Sequence, residues 1–169
     1  LLGLERALIY KTLFLTGLRR AELASITISH LELDCPNPHA ILEAAFEKNR
    51  EGSKIPLRSD LVEDLRQWLS NKLKYLQDKA KMNREPIPAR LPATTPLFNV
   101  PREIVKVFDR DLKLAGISKR DARGRTVDVH SLRHSFGTHL SKGGVPLRTA
   151  QAAMRHSDPA QAIEITEED

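Results

Sequence analysis

The sequence predicts a mainly helical α+β fold with a small three-stranded antiparallel β-sheet. Two observations carry this expectation. Apolar residues recur at three- and four-residue spacing over 4–16, 61–76, 102–115 and 129–140, the period of amphipathic helices. Alternating apolar positions cluster once, between Ile26 and Leu57, with turn-forming residues between the runs. At 169 residues, 40% hydrophobic and 29% charged, the chain is long enough for one domain with its own core.

In order, residues 4–16 read as a buried helix. Leu4, Leu8, Tyr10, Leu13 and Leu15 supply a broad apolar surface, and Gly17 suits the C-terminus. A tight turn follows, then a short helix from about Arg20 to Ser25. Arg19 lies at that turn between Leu18 and Leu23, either paired or pointed into a cleft, with Glu22 as a local partner. Ile26–Leu33, His39–Phe46 and Ser53–Leu57 are the three expected strands. Asp34-Cys35-Pro36-Asn37-Pro38 makes the first turn, and the charged tip 47–52 makes the second. Read locally, Lys48 in that tip is a solvated turn lysine. Ser59-Asp60 is expected to cap a long helix to about Lys81, with Leu61, Leu65, Trp68, Leu69, Leu73 and Leu76 on one side. Pro86, Pro88, Pro92, Pro96 and Pro101 make 82–101 a loop. A helix over Arg102–Ala115 stops at Gly116, and 118–128 is a basic loop. Gly143-Gly144 ends the next helix, and Pro146 starts a short one over Leu147–Met154.

The densest chemistry lies at Val129–Leu140, V-H-S-L-R-H-S-F-G-T-H-L. His130, Arg133 and His134 stand at i, i+3 and i+4 and share a helix face, while Leu132, Phe136 and Leu140 form a second stripe that can be buried. Such a face can be a solvated surface, a satisfied polar network or an anion site. A zinc site is a further alternative, since His130 and His134 have the i, i+4 spacing. However, Ser131 replaces the glutamate of the metalloprotease pattern, and Cys35 is far away in sequence.

A net charge of +5 permits a polyanionic partner without demanding one. Aromatic residues are 5% of the chain, which argues against platforms for stacking single strands. One cysteine excludes an internal disulfide and fits a reducing cytoplasm. No apolar run is long enough to span a membrane, and no membrane partner is expected.

Three segments resemble, in order, the catalytic domain of the tyrosine recombinases, the phage-integrase family. Thr16–Leu23, T-G-L-R-R-A-E-L, resembles the first arginine box. His130–His134, H-S-L-R-H, resembles the H-x-L-R-H box. Met154–Pro159, M-R-H-S-D-P, resembles the segment of the second histidine, often written L-G-H-S. The spacer G-G-V-P-L-R-T-A-Q matches as well, so the resemblance covers nearly the whole chain and implies the tyrosine recombinase catalytic-domain fold. It makes Arg19 and Arg133 the pair that clamps the scissile phosphate and offsets charge on the phosphorane. It makes His130 a proton-transfer residue and His156 a hydrogen-bond donor to the phosphate. Lys48, eight residues before Pro56, takes the place of the hairpin lysine that protonates the leaving 5′ oxygen, with Lys54 as runner-up. Glu22 and His134 become supports for Arg19 and the box helix. The implied chemistry uses no metal and no cofactor: a tyrosine attacks a phosphodiester and forms a 3′-phosphotyrosyl bond that a 5′ hydroxyl later reverses. The implied partners are double-stranded DNA and other recombinase protomers in a synaptic complex.

The nucleophile departs from this pattern. The family's tyrosine stands nine or ten residues after the second histidine, where this chain has Ile165 and Thr166. Tyr10 and Tyr75 lie far from that segment and read as packing residues. Two expectations compete: a tyrosine placed after Asp169, or a recombinase-like DNA-binding module that does not cut. Because Leu1 is not Met and falls inside a helical pattern, residues 1–169 are expected to be a single catalytic domain, a fragment lacking the family's N-terminal core DNA-binding domain.

Overall fold

A computed structural model describes residues 2–46 and 52–155. Helix α1 (Leu2–Thr16) is continuous, but the chain divides into two compact units within it. The first unit comprises Leu1–Ile9 and Ala21–Asn99, and the second Tyr10–Arg20 and Val100–Asp169. The buried stripe of α1 is Glu5, Leu8, Ile9, Thr12, Leu13 and Thr16, at the spacing of one helix face. Leu4, expected in the core, is exposed, and Leu15 is half-buried. A stripe that includes polar residues is harder to phase from hydrophobicity, and here it is displaced by about a third of a turn.

In the first unit, α2 (Arg20–Ser25) buries Glu22 and Leu23. The strand expected over Ile26–Leu33 is mostly not a strand. A 3-10 turn occupies Ile28–His30, and only Leu31–Glu32 (β1) pairs in the sheet. Side chains of this segment compete with the ladder: Thr27 N–H donates to His30 Nδ1 at 3.2 Å. Strands β2 (His39–Leu42) and β3 (Ser53–Pro56) complete the three-stranded antiparallel sheet, in the order β1-β2-β3. The register sets Ala40 opposite Leu31 and Ile55, and Leu42 opposite Ser53. Ala40, Leu42 and Ile55 therefore share the buried face. β2 stops at Leu42, four residues short of the expected end at Phe46, which is half exposed.

Helix α3 (Ser59–Asn83) starts one residue earlier than a Ser59 cap requires. Arg58 is the N-cap and makes no capping bond with its side chain, which instead forks onto Asp60 at 2.6 and 2.8 Å. Leu61, Leu65 and Trp68 are buried as expected, whereas Leu69, Leu73 and Leu76 are only half-buried. Full burial of one such leucine contributes about 1.5–3 kcal/mol. The proline-rich segment is tied to the core through its backbone. Leu97 N–H donates to Ile26 O at 2.9 Å, Ile28 N–H to Thr95 O at 3.0 Å, and Trp68 Nε1 to Leu97 O at 2.9 Å. Glu5 closes the unit by accepting from Asn99 N–H at 2.7 Å.

In the second unit, α4 (Ile104–Leu114) buries Ile104, Phe108 and Leu112 at i, i+4 and i+8. Tyr10 packs edge-on against Phe108, with centroids 4.9 Å apart, and its hydroxyl donates to Asp111 at 2.8 Å. The basic stretch 118–128 is the solvated loop expected, closed into a tight turn by a single antiparallel bridge between Arg120 and Thr126. Asp121 accepts from the backbone of Arg123 and Arg125 at 2.9 and 2.8 Å, and from Arg125 Nε at 2.9 Å. Asp128 then caps α5 (Val129–Lys142), which contacts α4 and also α6 (Leu147–Met154). Among the described residues, no helix is long and apolar enough to cross a membrane.

Candidate phosphate-binding site

Helix α5 begins with a reciprocal capping box. Asp128 accepts from Ser131 N–H at 2.9 Å, and Ser131 Oγ accepts from Asp128 N–H at 3.1 Å. This fixes the first turn, on which His130 stands exposed. The buried face of the helix is Val129, Arg133 and Gly137, with Leu132, Phe136 and Leu140 only half-buried. The phase therefore differs from the expected one. Arg133 lies on the core side, between a valine and a glycine, and His130 and His134 flank it from the exposed side.

The Arg133 guanidinium ends on the left-handed turn at Gly17 and on the end of α6. Arg133 is 4% exposed, and its two terminal nitrogens donate to Gly17 O and Met154 O. Gly17 has φ of 60°, and a Cβ there would meet Phe136 Cδ1 at 2.4 Å, so only glycine fits. Two residues on, Arg19 is half-buried in the same turn. Gly17 O also accepts from Arg155 Nη2 at 3.0 Å.

These charges converge on His130. Its pKa lies below the ordinary 6.5, first because partial burial disfavours the imidazolium, then because His134, Arg133 and Arg19 are positive; Asp128 opposes them. His130 and His134 meet edge-to-face at 4.8 Å between ring centroids. Among the described residues, no three His, Cys, Asp or Glu gather in a group that could hold a metal ion. His134 also lines a cavity of about 460 Å³ with Ser131, Ser135, Thr138, His139 and Lys142.

The second unit thus brings together Arg19, His130, Arg133 and His134. Glu22 is buried in the first unit, and Lys54 is exposed on β3 there. Lys48, His156, Ile165 and Thr166 lie outside the described residues. Arg155 is absent from the sequence-based set. Its reach to Gly17 spans 138 positions, and the local sign of it is an arginine where the L-G-H-S segment has glycine.

Residues 2–166 match the model of the phage integrase family. The tyrosine recombinase XerC of Corynebacterium glutamicum is 27% identical over 154 residues, which cover 91% of this chain and 44% of the relative. The tyrosine recombinase XerD of Staphylococcus haemolyticus is 29% identical over 163 residues, 92% of this chain and 48% of the relative. The chain therefore spans about half the length of the curated relatives it matches. The crystal structure of XerA recombinase superposes with a TM-score of 0.71 at 21% identity, covering 98% of this chain and 53% of the other. The XerH site-specific recombinase, in a post-cleavage complex with its palindromic difH substrate, gives 0.68 at 20% identity, covering 98% and 42%. These similarities establish the recombinase catalytic-domain fold, and with nearly all of its residues matched, the chain belongs to the phage integrase family.

Proposed function

We propose that this chain is the catalytic domain of a site-specific DNA recombinase, the part that grips and activates the scissile phosphate. The observation that carries the reading is geometric: Arg19 stands two residues beyond the Gly17 carbonyl that Arg133 holds, in the unit that also carries the paired rings of His130 and His134, 4.8 Å apart. A basic cluster of that kind favours an anion. Arg19, half-buried, suits a non-bridging oxygen of a phosphodiester. Arg133, the family's second clamp by resemblance, holds the turn with both terminal nitrogens on backbone carbonyls and adds its charge. With a depressed pKa, His130 rests neutral near pH 7 and is available to accept a proton as the attacking hydroxyl forms its bond. Lys48 would donate to the leaving 5′ oxygen and His156 would hydrogen-bond the phosphate, both by family resemblance, with Glu22 and His134 in support. Double-stranded DNA is the substrate, further protomers in a synaptic complex are the partners, and no metal or cofactor takes part.

Within the 169 residues, the positions where the family has its nucleophile are Ile165 and Thr166. Tyr10 is engaged with Asp111 and Phe108, and Tyr75 lies on α3 of the first unit. Neither replaces a phenol at the phosphate, and a threonine alkoxide is too poor a leaving group for a bond that must be reversed. The proposal is therefore phosphate engagement by this stretch without strand cleavage. The test is incubation with a nicked suicide duplex. The expected result is binding with no covalent protein–DNA adduct; an adduct on these 169 residues would overturn the assignment of the nucleophile.

A further inference from the structure

We propose that Arg155 is a positioning residue for the phosphate site, holding the Gly17 carbonyl so that the turn presents Arg19 in its working orientation. The inference rests on the reading above. It starts from a local conflict: Arg155 ends α6 with φ of 54° and ψ of 44°, the left-handed region that residues with a Cβ avoid. The family motif is written with glycine at this place, and glycine adopts the conformation freely. Arginine accepts the strain, and its side chain is 6% exposed, so it is not a surface substitution tolerated for want of neighbours.

The destination of that side chain supplies the reason. Arg155 Nη2 donates to Gly17 O at 3.0 Å, and Nη1 donates to Ala153 O at 3.1 Å. Arg133 donates to the same Gly17 oxygen and to Met154 O. Two guanidiniums, one from α5 and one from the end of α6, thus fasten one carbonyl of the turn. The rest of that turn is held from α1: Gly17 N–H donates to Leu13 O at 3.0 Å, and Leu18 N–H to Thr16 Oγ1 at 3.3 Å. Arg19 follows two residues after the doubly bonded carbonyl. A rotation of the Gly17 peptide swings the chain that carries it, so a second donor on Gly17 O narrows the positions open to the Arg19 guanidinium. The gain is orientation, and the backbone strain at Arg155 is its cost.

The test uses the 169-residue chain with Arg155→Gly, Arg155→Lys and, as a control, Arg19→Ala. Each is measured for melting temperature, for affinity toward a short fluorescein-labelled DNA duplex of arbitrary sequence, and, where Arg19 is present, for its Nε–H resonance. Arg155→Gly relieves the left-handed strain but loses both donated bonds and a buried side chain, so we expect it to melt below the parent. It should bind roughly tenfold more weakly, the scale of one hydrogen bond from a charged donor, with the Arg19 resonance displaced. Arg155→Lys restores a cationic donor while keeping the strain, so it should recover part of the affinity and melt below the glycine variant. A purely structural role would make affinity follow melting temperature between the two variants; the proposal has Arg155→Lys bind more tightly than Arg155→Gly while melting lower. Parent-like affinity in Arg155→Gly overturns it, as does weaker binding with the Arg19 resonance unmoved. If Arg19→Ala weakens binding and Arg155→Gly does not, the phosphate site stands and only the role of Arg155 falls. An unaffected Arg19→Ala removes the phosphate site itself.

Discussion

Replacing Arg133 by methionine separates the guanidinium's structural bonds from its charge. Methionine fills much of the same volume and offers no donor. In the parent, Arg133 is 4% exposed and donates to Gly17 O and Met154 O. After the substitution, Gly17 O keeps the Arg155 bond at 3.0 Å, whereas Met154 O loses the Arg133 donor. A hydrogen bond from a charged donor contributes about 1.5–3 kcal/mol, and a buried acceptor left without one costs about 1–3 kcal/mol. Against this stands the desolvation of a buried guanidinium, which the substitution relieves. The acceptors are carbonyls already fixed by the glycine turn and by the end of α6, so we expect the bonds to outweigh the desolvation by about 2 kcal/mol. For a chain of this length that corresponds to a fall in Tm of about 4–8 °C. Differential scanning calorimetry measures it. A Tm equal to or above the parent's would refute the reasoning, and would mean that Arg133 is held at a net cost in stability.

Two further outcomes follow from the same site. Gly17→Ala should destabilise by more than about 2 kcal/mol, because a left-handed alanine costs about 1–2 kcal/mol before its Cβ meets Phe136. Gly116→Ala, also left-handed but with nothing within 4 Å, should show the backbone cost alone, and equal denaturant midpoints for the two variants would contradict the Phe136 contact. His130 should titrate by NMR below 6.5, and higher in Arg19→Ala. The sign of its linkage is set by that depression. The folded state resists protonation, so stability is unaffected above the unfolded pKa, and falls as the pH drops from 6.5 through the lower folded value. A bound phosphate has the opposite effect and should draw the His130 midpoint upward; a midpoint indifferent to DNA would place His130 away from the anion.

The legible parts of the fold were those whose signal is local. The first half of the α3 stripe, the turn at Gly17 and the bounds of α2 and α6 follow from periodicity, glycine and proline. The 3-10 turn at Ile28–His30 was hidden because apolar alternation says nothing of the Thr27–His30 bond that diverts the backbone. The tight turn within the 118–128 loop was likewise concealed, since Asp121 orders it through side-chain acceptance while composition shows only charge. At the site, the motif spacing groups His130, Arg133 and His134, which lie on the first two turns of α5. It leaves the Arg133 face open between a solvated surface, a satisfied polar network and an anion site. The actual partners of Arg133 are backbone carbonyls 116 and 21 positions away, and main-chain oxygens carry no sequence signature. Arg155 shows in the sequence only as an arginine where the L-G-H-S segment has glycine, and its bond to Gly17 O carries no such mark.

The central claim is that the second unit offers its cationic cluster to a DNA phosphate. Arg19→Ala tests it most directly, because Arg19 is only half-buried and its loss leaves the Arg133 bonds in place. Duplex affinity should be measured across a salt series. Weaker binding is expected, with a log–log salt slope shallower by about 0.9, the loss of one phosphate contact. An affinity and a slope both equal to the parent's would contradict it.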